Sequence, residues 1–225
     1  MRITDQQRVA FTTYRDLLIA ESARYNLTSL RDPQAIEQRH FGESLALLLA
    51  LEEAGVFASP AIDIGTGAGF PGVPIKIVRP EIELTLLEAT RRKAEFLEKL
   101  VASLGLKSVS VVNARAEELA HDPAYRERYA LALARAVAPL RVLVELSLPF
   151  LRRGGCLAAQ KGSGAEREAR EAARALEVCG GEVAVVRRLD VPGAAVQPTL
   201  VVVRKVAPTP EGYPRRAGIP TKRPL

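Results

Sequence analysis

The sequence predicts an α/β fold with a mostly parallel sheet that ends in an antiparallel hairpin. Short apolar runs without polar alternation recur between residues 61 and 159, and stretches with helical periodicity separate them. Such runs are typical of strands covered on both faces, as in a parallel sheet. Two further runs, at 183–186 and 200–206, have only a short link between them. Because that link is too short for a helical crossover, these strands should pair antiparallel.

The first sixty residues predict a helical cap in front of this sheet. Residues 3–20 carry apolar side chains at helical spacing, and residues 24–29 break the pattern as a turn. Asp32 and Pro33 fit an N-cap followed by proline in the first helical position. A second helix should therefore run from there through about Ala54.

Strands and helices then alternate along the chain. The predicted strands are 61–64, 84–87, 109–112, 131–134 and 156–159, and the predicted helices are about 73–79, 90–104, 139–151 and 164–179. Residues 207–225 contain five prolines, which cannot continue a sheet. We therefore divide the chain into a helical cap (1–58), an α/β core (59–206) and a basic, proline-rich tail (207–225), within one compact domain.

The composition excludes several classes of protein. With 225 residues, 48% of them hydrophobic, the chain can bury a full core, which argues against a disordered or fibrous protein. The longest apolar run has seven residues, whereas a membrane-spanning helix needs about 20. The N-terminus lacks the apolar segment of a signal peptide, so we expect a cytoplasmic monomer without membrane contact. The two cysteines and two histidines show no ligand spacing, so neither a metal site nor a disulfide is expected.

The charge favours a polyanionic partner without establishing one. The net charge is +6, and the isoelectric point is near 9.6. From residue 204 to residue 225, six basic residues accompany one acidic residue. These tail cations either bind nucleic-acid phosphates or form a solvated basic tail.

A glycine-rich turn follows the first predicted strand and reads Asp63-Ile-Gly-Thr-Gly-Ala-Gly-Phe-Pro-Gly72. Glycine permits positive φ and lets the backbone approach a ligand closely. Gly67, Gly69 and Gly72 also satisfy the fingerprint of dinucleotide sites, and Glu88 lies about twenty residues further on, as that fingerprint requires. The glycines alone therefore leave both a nicotinamide dinucleotide and a methyl donor open.

Two features favour the methyl donor. Asp63 and Gly65 precede the dinucleotide-like glycines, which gives the Asp-x-Gly-x-Gly-x-Gly form of methyltransferases, and the antiparallel sheet end is the usual methyltransferase plan. S-Adenosylmethionine has no pyrophosphate, so the turn needs close approach and no phosphate cradle. The predicted fold is that of a class I, Rossmann-like, S-adenosylmethionine-dependent methyltransferase. An NAD-dependent oxidoreductase and a non-catalytic RNA-binding module remain the alternatives.

Acidic residues stand at two predicted strand ends. Glu88 closes the second strand, where it either accepts both ribose hydroxyls of an adenosine or caps the helix after Thr90. Glu117 lies just past the third strand. It either flanks the adenine or serves as an acid in the first turn of a helix, and its position leaves both roles open.

Several motifs resemble those of the RsmG (GidB) family, which are bacterial methyltransferases of small-subunit ribosomal RNA. The resemblance covers nearly the whole chain and rests on Tyr25-Asn-Leu-Thr, His40-Phe41, the turn 63–72, Arg135-Ala136, Lys161-Gly162 and Tyr213-Pro-Arg-Arg-Ala-Gly218. It implies N7 methylation of a guanine in the 530 loop of 16S rRNA, with the rRNA or the small subunit as partner. The family usually has Asp at the positions of Glu43 and Glu88, so the contact geometry here differs by one methylene.

The methyl-acceptor side is expected at the later strand ends. Arg135, at the end of the fourth strand, is the predicted catalytic residue, because it can hydrogen-bond guanine O6 or a phosphate; a surface salt bridge is the alternative. Lys161, at the end of the fifth strand, indicates a phosphate contact. His40 either lines the pocket or packs between helices. Guanine N7 carries a lone pair and no proton, so its methylation needs no general base.

The candidate site has two groups of residues. By matching position, the resemblance implies cofactor and active-site contacts at Gly65, Phe70, Glu88, Ala89, Thr90, Ala116, Glu117 and Arg135, and the turn adds Asp63, Thr66, Gly67 and Gly69 to the predicted cofactor contacts. The predicted RNA contacts are Arg24, Asn26, His40, Lys161, Arg215, Arg216, Lys222 and Arg223.

Overall fold

The structure is a computed structural model that describes residues 2–25 and 27–225, without the side chains at positions 23 and 24. The helices in this part of the chain are α1 (Asp5–Tyr25), α2 (Pro33–Ala35), α3 (Glu43–Glu53), α4 (Gly72–Val78), α5 (Arg91–Ser103), α6 (Ala116–Leu119), α7 (Leu140–Ser147), α8 (Ala165–Glu171), α9 (Ala173–Cys179) and α10 (Ile219–Lys222). The strands are β1 (Ala61–Ile64), β2 (Leu84–Glu88), β3 (Val109–Asn113), β4 (Tyr129–Arg135), β5 (Leu151–Lys161), β6 (Gly181–Arg188) and β7 (Thr199–Lys205).

The seven strands of the described chain form one sheet in the order β3-β2-β1-β4-β5-β7-β6. Neighbouring strands from β3 to β5 pair in parallel, whereas β7 pairs antiparallel with both β5 and β6. The predicted α/β fold with its antiparallel hairpin is therefore confirmed. Because β1 lies between β2 and β4, the winding reverses there, and the carboxyl ends of β1 and β4 border a crevice of the kind that binds ligands.

Alternate residues of the central strands face two apolar layers. In β4, Leu131 and Leu133 pack in the layer formed with α1, α3, α4 and α5, whereas Ala132 and Ala134 pack in the layer formed with α7, α8 and α9. All four side chains are at most 1% exposed. Burial on both faces explains why the strands are apolar without alternation.

The predicted helices differ from the observed ones at several points. The helix expected over 139–151 ends at Ser147, and α1 extends to Tyr25, into the turn expected over 24–29. A π-helical segment (Ile36–Gly42) joins α2 to α3, where one continuous α-helix was expected. The helix expected over 164–179 divides at Ala172 into α8 and α9. The short helices α6 and α10 were not predicted, because four residues are too few to show helical periodicity. None of the described helices combines the length and hydropathy needed to cross a bilayer.

Helix α1 packs directly against the core. The Gln7 side chain donates a hydrogen bond to the carbonyl of Ile77 at 3.2 Å, and the Tyr14 hydroxyl donates to the carbonyl of Ala68 at 2.5 Å. Tyr14 is fully buried. We propose, on these contacts, that cap, core and tail form one compact domain with the boundaries given above.

Candidate active site

The glycine-rich turn begins where β1 ends and is held against β2. The backbone amides of Gly65 and Thr66 both donate to the carbonyl of Leu87, at 2.9 and 3.1 Å. Gly65 and Gly67 each have a φ of +64°, which glycine adopts without strain. The amide of Gly67 donates to Oε2 of Glu88 at 3.0 Å, so the turn and the end of β2 form one rigid unit.

Asp63 lies beneath the turn and holds it in shape. Its Oδ2 accepts a hydrogen bond from the Thr66 hydroxyl at 2.7 Å and another from the Gly72 amide at 2.8 Å. Burial raises the pKa of Asp63 to about 6, although both hydrogen bonds oppose that shift. Asp63 and Thr66 are both predicted to contact the cofactor, and the structure places them beneath the turn, at most 2% exposed and bonded to each other.

Two glycines of the turn are required by packing within the protein. A Cβ atom on Gly69 would lie 2.7 Å from the Tyr14 hydroxyl oxygen and 2.9 Å from a methyl group of Val73. A Cβ atom on Gly72 would lie 2.7 Å from Oδ2 of Asp63. Gly69 was predicted to contact the cofactor, but its missing side chain serves the contact between the turn and α1.

A cavity of about 220 Å³ opens beside the turn at the ends of β1, β2 and β3. Its lining residues are Ile64, Gly65, Leu87, Ala89, Ala114, Arg115, Ala116, Glu117, Val137, Ala138, Leu146 and Thr221. Most of these side chains are apolar, which suits the faces of an adenine ring. The structure thus brings together four of the predicted cofactor residues, namely Gly65, Ala89, Ala116 and Glu117. We name this space the donor cavity.

Glu88 closes β2 next to the donor cavity. Its Oε1 accepts a hydrogen bond from the amide of Thr90 at 2.7 Å, while Oε2 accepts the bond from Gly67. These two bonds fix the carboxylate at the strand end. Each carboxylate oxygen has a second acceptor position, so Glu88 can still receive the hydroxyls of a ribose. The donor set therefore fits an adenosyl cofactor.

Glu117 joins the donor cavity to the C-terminal tail. Its Oε1 accepts hydrogen bonds from the amide of Gly218 at 2.9 Å and from the Arg115 guanidinium at 3.0 Å. Together these bonds outweigh burial and lower the pKa of Glu117. Thr221, three residues beyond Gly218, lines the same cavity. Sequence reasoning missed this wall, because nothing in the spacing shows that the tail returns to the end of β3.

Arg215 anchors the tail to helix α7. Its backbone amide and Nε donate to Oε1 of Glu145, both at 2.9 Å, and Nη2 donates to Oε2 at 2.7 Å. The Glu145 side chain is fully buried. The phosphate contact predicted for Arg215 stays a prediction, and in this structure its guanidinium pairs with an internal carboxylate. Arg126 reinforces the anchor through its bond to the carbonyl of Tyr213 at 2.9 Å.

A second cavity, of about 430 Å³, lies at the ends of β4 and β5. Its lining residues are Arg39, His40, Glu43, Arg135, Ala136, Gln160, Lys161, Gly162, Glu168, Val196 and Pro198. Arg135 and Ala136 border this space, whereas Val137 and Ala138 border the donor cavity. One short segment, residues 135–138, therefore separates the two cavities. We name the second space the acceptor cavity and this segment the partition.

Arg135 is held in the acceptor cavity by four groups. Its guanidinium carbon lies 4.8 Å from the centre of the Phe70 ring, Nη2 lies 3.1 Å from Nδ1 of His40, and Nη1 lies 3.3 Å from the carbonyl oxygen of Arg39. Nη1 is also 3.6 Å from Oε2 of Glu43. Burial lowers the pKa of Arg135, and the charge of Glu43 opposes that shift. The guanidinium is thus oriented by contacts within the protein.

His40 is a neutral positioning residue for Arg135. Since arginine can only donate, Nδ1 of His40 must accept from Arg135, which places the imidazole proton on Nε2. That proton is donated to the Thr28 hydroxyl oxygen at 2.8 Å. Burial, followed by the charges of Arg135 and Arg39, lowers the pKa of His40 to about 3. The ring also stacks on Phe70, with 4.5 Å between centroids. His40 thus lines the acceptor cavity and also packs against a neighbouring side chain.

Lys161 joins the partition to the core through two polar contacts of its ammonium group. Its ammonium group donates to the carbonyl of Ala138 at 2.6 Å and to Glu168 at 2.7 Å, and its side chain is 8% exposed. The phosphate contact predicted for Lys161 stays a prediction, and in this structure its ammonium group has internal partners while its side chain lines the acceptor cavity. Ala136 has a φ of +54°, a strained conformation for a residue with a Cβ atom. The bond from Lys161 helps to hold this strained backbone between the two cavities.

The remaining predicted RNA contacts lie on the protein surface or fall outside the described residues. Arg216, Lys222 and Arg223 are exposed. Asn26 and the side chain of Arg24 fall outside the described residues, so the prediction for them stands as made.

A family model and two relatives of similar sequence indicate the same protein family. Residues 7–195 match the family model described as GidB, rRNA small subunit methyltransferase G. A protein of Roseiflexus castenholzii named ribosomal RNA small subunit methyltransferase G is 47% identical over 225 residues, covering all of this chain and 94% of that protein. A protein of the same name from Acetivibrio thermocellus is 39% identical, covering all of this chain and 91% of its own length.

Solved structures show the same fold at low sequence identity. An S-adenosylmethionine-dependent methyltransferase from Aquifex aeolicus superposes with a TM-score of 0.59 at 20% identity, covering 81% of this chain and 98% of that chain. The E81Q mutant of MtNAS in complex with S-adenosylmethionine gives a TM-score of 0.59 at 19% identity, covering 89% of this chain and 78% of that chain. These likenesses support the fold alone.

Proposed function

The chain belongs to the rRNA small subunit methyltransferase G family, and on that premise we propose that it methylates N7 of a guanine in the 530 loop of 16S rRNA. It is an S-adenosylmethionine-dependent enzyme, so the nicotinamide and non-catalytic alternatives are set aside. The observation that carries the proposal is the partition, residues 135–138, which puts a donor cavity and an acceptor cavity on opposite sides of one short segment.

The residues of the donor cavity are suited to an adenosyl group. Glu88 is placed to accept ribose hydroxyls, and Gly65 brings the backbone close to the ligand. Leu87 and Val137 supply apolar surface for the adenine. When bound there, S-adenosylmethionine supplies the methyl group. We propose these four residues, with Ala89 and Ala116, as the cofactor contacts.

The residues of the acceptor cavity orient the base. Guanine N7 lies on an edge that an RNA helix hides, so the base must be extruded into the cavity or presented in a loop. Arg135 can donate to O6, the neighbour of N7 on that edge. Since N7 carries a lone pair and no proton, no side chain has to remove one. Catalysis rests on alignment, and positioning of this kind is worth roughly 7–11 kcal/mol.

We further propose that exposed cations of the tail bind flanking phosphates and that the enzyme acts as a monomer without a metal ion. Arg216, Lys222 and Arg223 are exposed near the anchored part of the tail.

The test is transfer of labelled methyl from S-adenosylmethionine to small-subunit particles that lack the modification, with naked 16S rRNA alongside. The labelled base is then mapped. Label at N7 of one guanine in the 530 loop is the expected result. Label at another atom or another RNA would contradict the proposed acceptor.

A further inference from the structure

We propose that Glu43 selects guanine as the acceptor base, by accepting hydrogen bonds from its N1–H and N2–H groups while Arg135 donates to O6. This inference rests on the proposed function and assigns the specificity of the same site. It makes Glu43 a specificity-determining residue.

Glu43 lines the acceptor cavity, and its carboxylate is fixed from one side. Gln160 donates through Nε2 to Oε2 of Glu43 at 2.7 Å, and Nη1 of Arg135 lies 3.6 Å from the same oxygen. The Glu43 side chain is 18% exposed. Oε2 is thus engaged by protein donors, while the carboxylate as a whole still reaches the cavity. A partly buried carboxylate of this kind attracts donors from a ligand.

Gln160 supports this assignment as the residue that orients Glu43. It is 5% exposed, and its side-chain oxygen is buried without a hydrogen-bond partner among the described residues. The bond from its Nε2 holds the Glu43 carboxylate in one orientation at the cavity wall.

The order of groups along the cavity matches the order of groups along the base. Around guanine, N7 is followed by O6, then N1–H, then the N2 amino group. In the protein, Val137 and Ala138 border the donor cavity and Arg135 begins the same segment. Gln160, which binds Glu43, lies beside Arg135 on β5, the strand farther from β1. With N7 towards the donor cavity, O6 meets Arg135 and N1–H meets Glu43.

This arrangement of a donor followed by an acceptor excludes adenine. Adenine carries an amino group where guanine has O6, and a bare N1 acceptor where guanine has N1–H. Arg135 would then face a donor and Glu43 would face an acceptor, so neither could form a hydrogen bond to adenine. A site built to hydrogen-bond its substrate rejects an analogue without those groups strongly, in some enzymes roughly 10⁴-fold.

Glu43 should also act on the rate. As the bond from N7 to the methyl carbon forms, the purine ring gains positive charge and N1–H becomes a stronger donor. The hydrogen bond to a carboxylate therefore strengthens in the transition state, which is the condition for catalysis by differential binding. The carboxylate also offsets the unfavourable proximity of Arg135 to a ring that is becoming cationic.

The experiment compares E43Q with wild type on reconstituted small subunits that carry guanosine or inosine at the target position. Inosine keeps O6 and N1–H but lacks the N2 amino group. Wild type should methylate guanosine faster than inosine. E43Q should lower kcat/KM on guanosine by roughly 10- to 100-fold, as expected for loss of hydrogen bonds to a charged group. It should also reduce the ratio of kcat/KM on guanosine to kcat/KM on inosine. S-Adenosylmethionine affinity should stay unchanged.

Two matched variants distinguish loss of the Glu43 charge from damage to the fold. E43D keeps the carboxylate and should be faster than E43Q, whereas E95Q removes an exposed carboxylate on α5 and should match wild type. The guanosine-to-inosine ratio is measured within one enzyme, so partial unfolding does not change it. The inference is overturned by an equal rate on both substrates in wild type, or by a wild-type rate or ratio in E43Q. Absence of N7 methylation by wild type would instead contradict the proposed function.

Discussion

The ion pair between Arg215 and Glu145 allows a quantitative prediction for Arg215→Ala. The variant removes two of the three hydrogen bonds that Glu145 accepts from Arg215, and it leaves the backbone donor in place. Glu145 is fully buried, so its charge loses its compensating cation. Breaking a buried pair in this way typically costs about 3–5 kcal/mol.

The expected loss lies near the lower end of that range. The retained backbone bond still partners Oε1, and the Arg215 side chain is 26% exposed, so water already screens part of the pair. For a chain of this size each kcal/mol lowers Tm by about 2–4 °C, so a loss of about 3 kcal/mol lowers Tm by about 6–12 °C.

Thermal unfolding followed by circular dichroism at pH 7.5 measures the change. Arg216→Ala is the matched control, because Arg216 is adjacent and exposed, and it should shift stability by less than about 0.5 kcal/mol. The double variant E145Q/R215A should recover part of the loss, since no buried charge remains. A Tm for Arg215→Ala within about 2 °C of that control would refute the reasoning.

Other perturbations of the turn and the acceptor cavity have equally direct outcomes. Asp63 has a folded pKa of about 6 against an ordinary 3.8, so its contribution to stability is fully present below pH 3.8 and is lost as pH rises to 6, by roughly 3 kcal/mol. Asp63→Asn should remove that slope, and urea unfolding that changes equally in both proteins between pH 4 and 6.5 would contradict it. Gly67→Val places a β-branched residue at a φ of +64° and should abolish S-adenosylmethionine binding in calorimetry, whereas unchanged affinity would remove the turn from the cofactor site. Arg135→Ala should abolish methyl transfer with the fold intact by circular dichroism, and full activity would exclude Arg135 from the site. Because the pKa of His40 is lowered to about 3, wild type should show no inflection in kcat/KM near pH 6.5. An inflection there that disappears in His40→Asn would contradict the neutral imidazole.

The sequence predicts the location of the site better than the roles of its residues. The end of each parallel strand could be recognised from its apolar run, and parallel strands bring their carboxyl ends to one edge. Gly65, Glu88 and Arg135 therefore stand near the crevice as predicted. Position at a strand end does not show which way a side chain faces, and Asp63 turns beneath the loop while Lys161 turns back to the partition.

Contacts between residues far apart in the sequence explain the other differences between the predicted and the observed structure. Arg215 and Glu145 are 70 positions apart, and only the folded chain shows that the tail passes over α7. The π-helical segment that carries His40 also lies outside sequence prediction, because one wider turn hardly changes the apolar spacing of a helix. A basic residue in a proline-rich tail resembles an RNA contact until its internal partner is known.

The shared wall of the donor cavity has a consequence for folding. Glu117 and Gly218 are separated by 101 positions and yet are joined by one hydrogen bond at that wall. A contact of such high sequence separation requires the closure of a long loop, at a cost in chain entropy. The donor cavity is therefore complete only when the tail has folded against the end of β3.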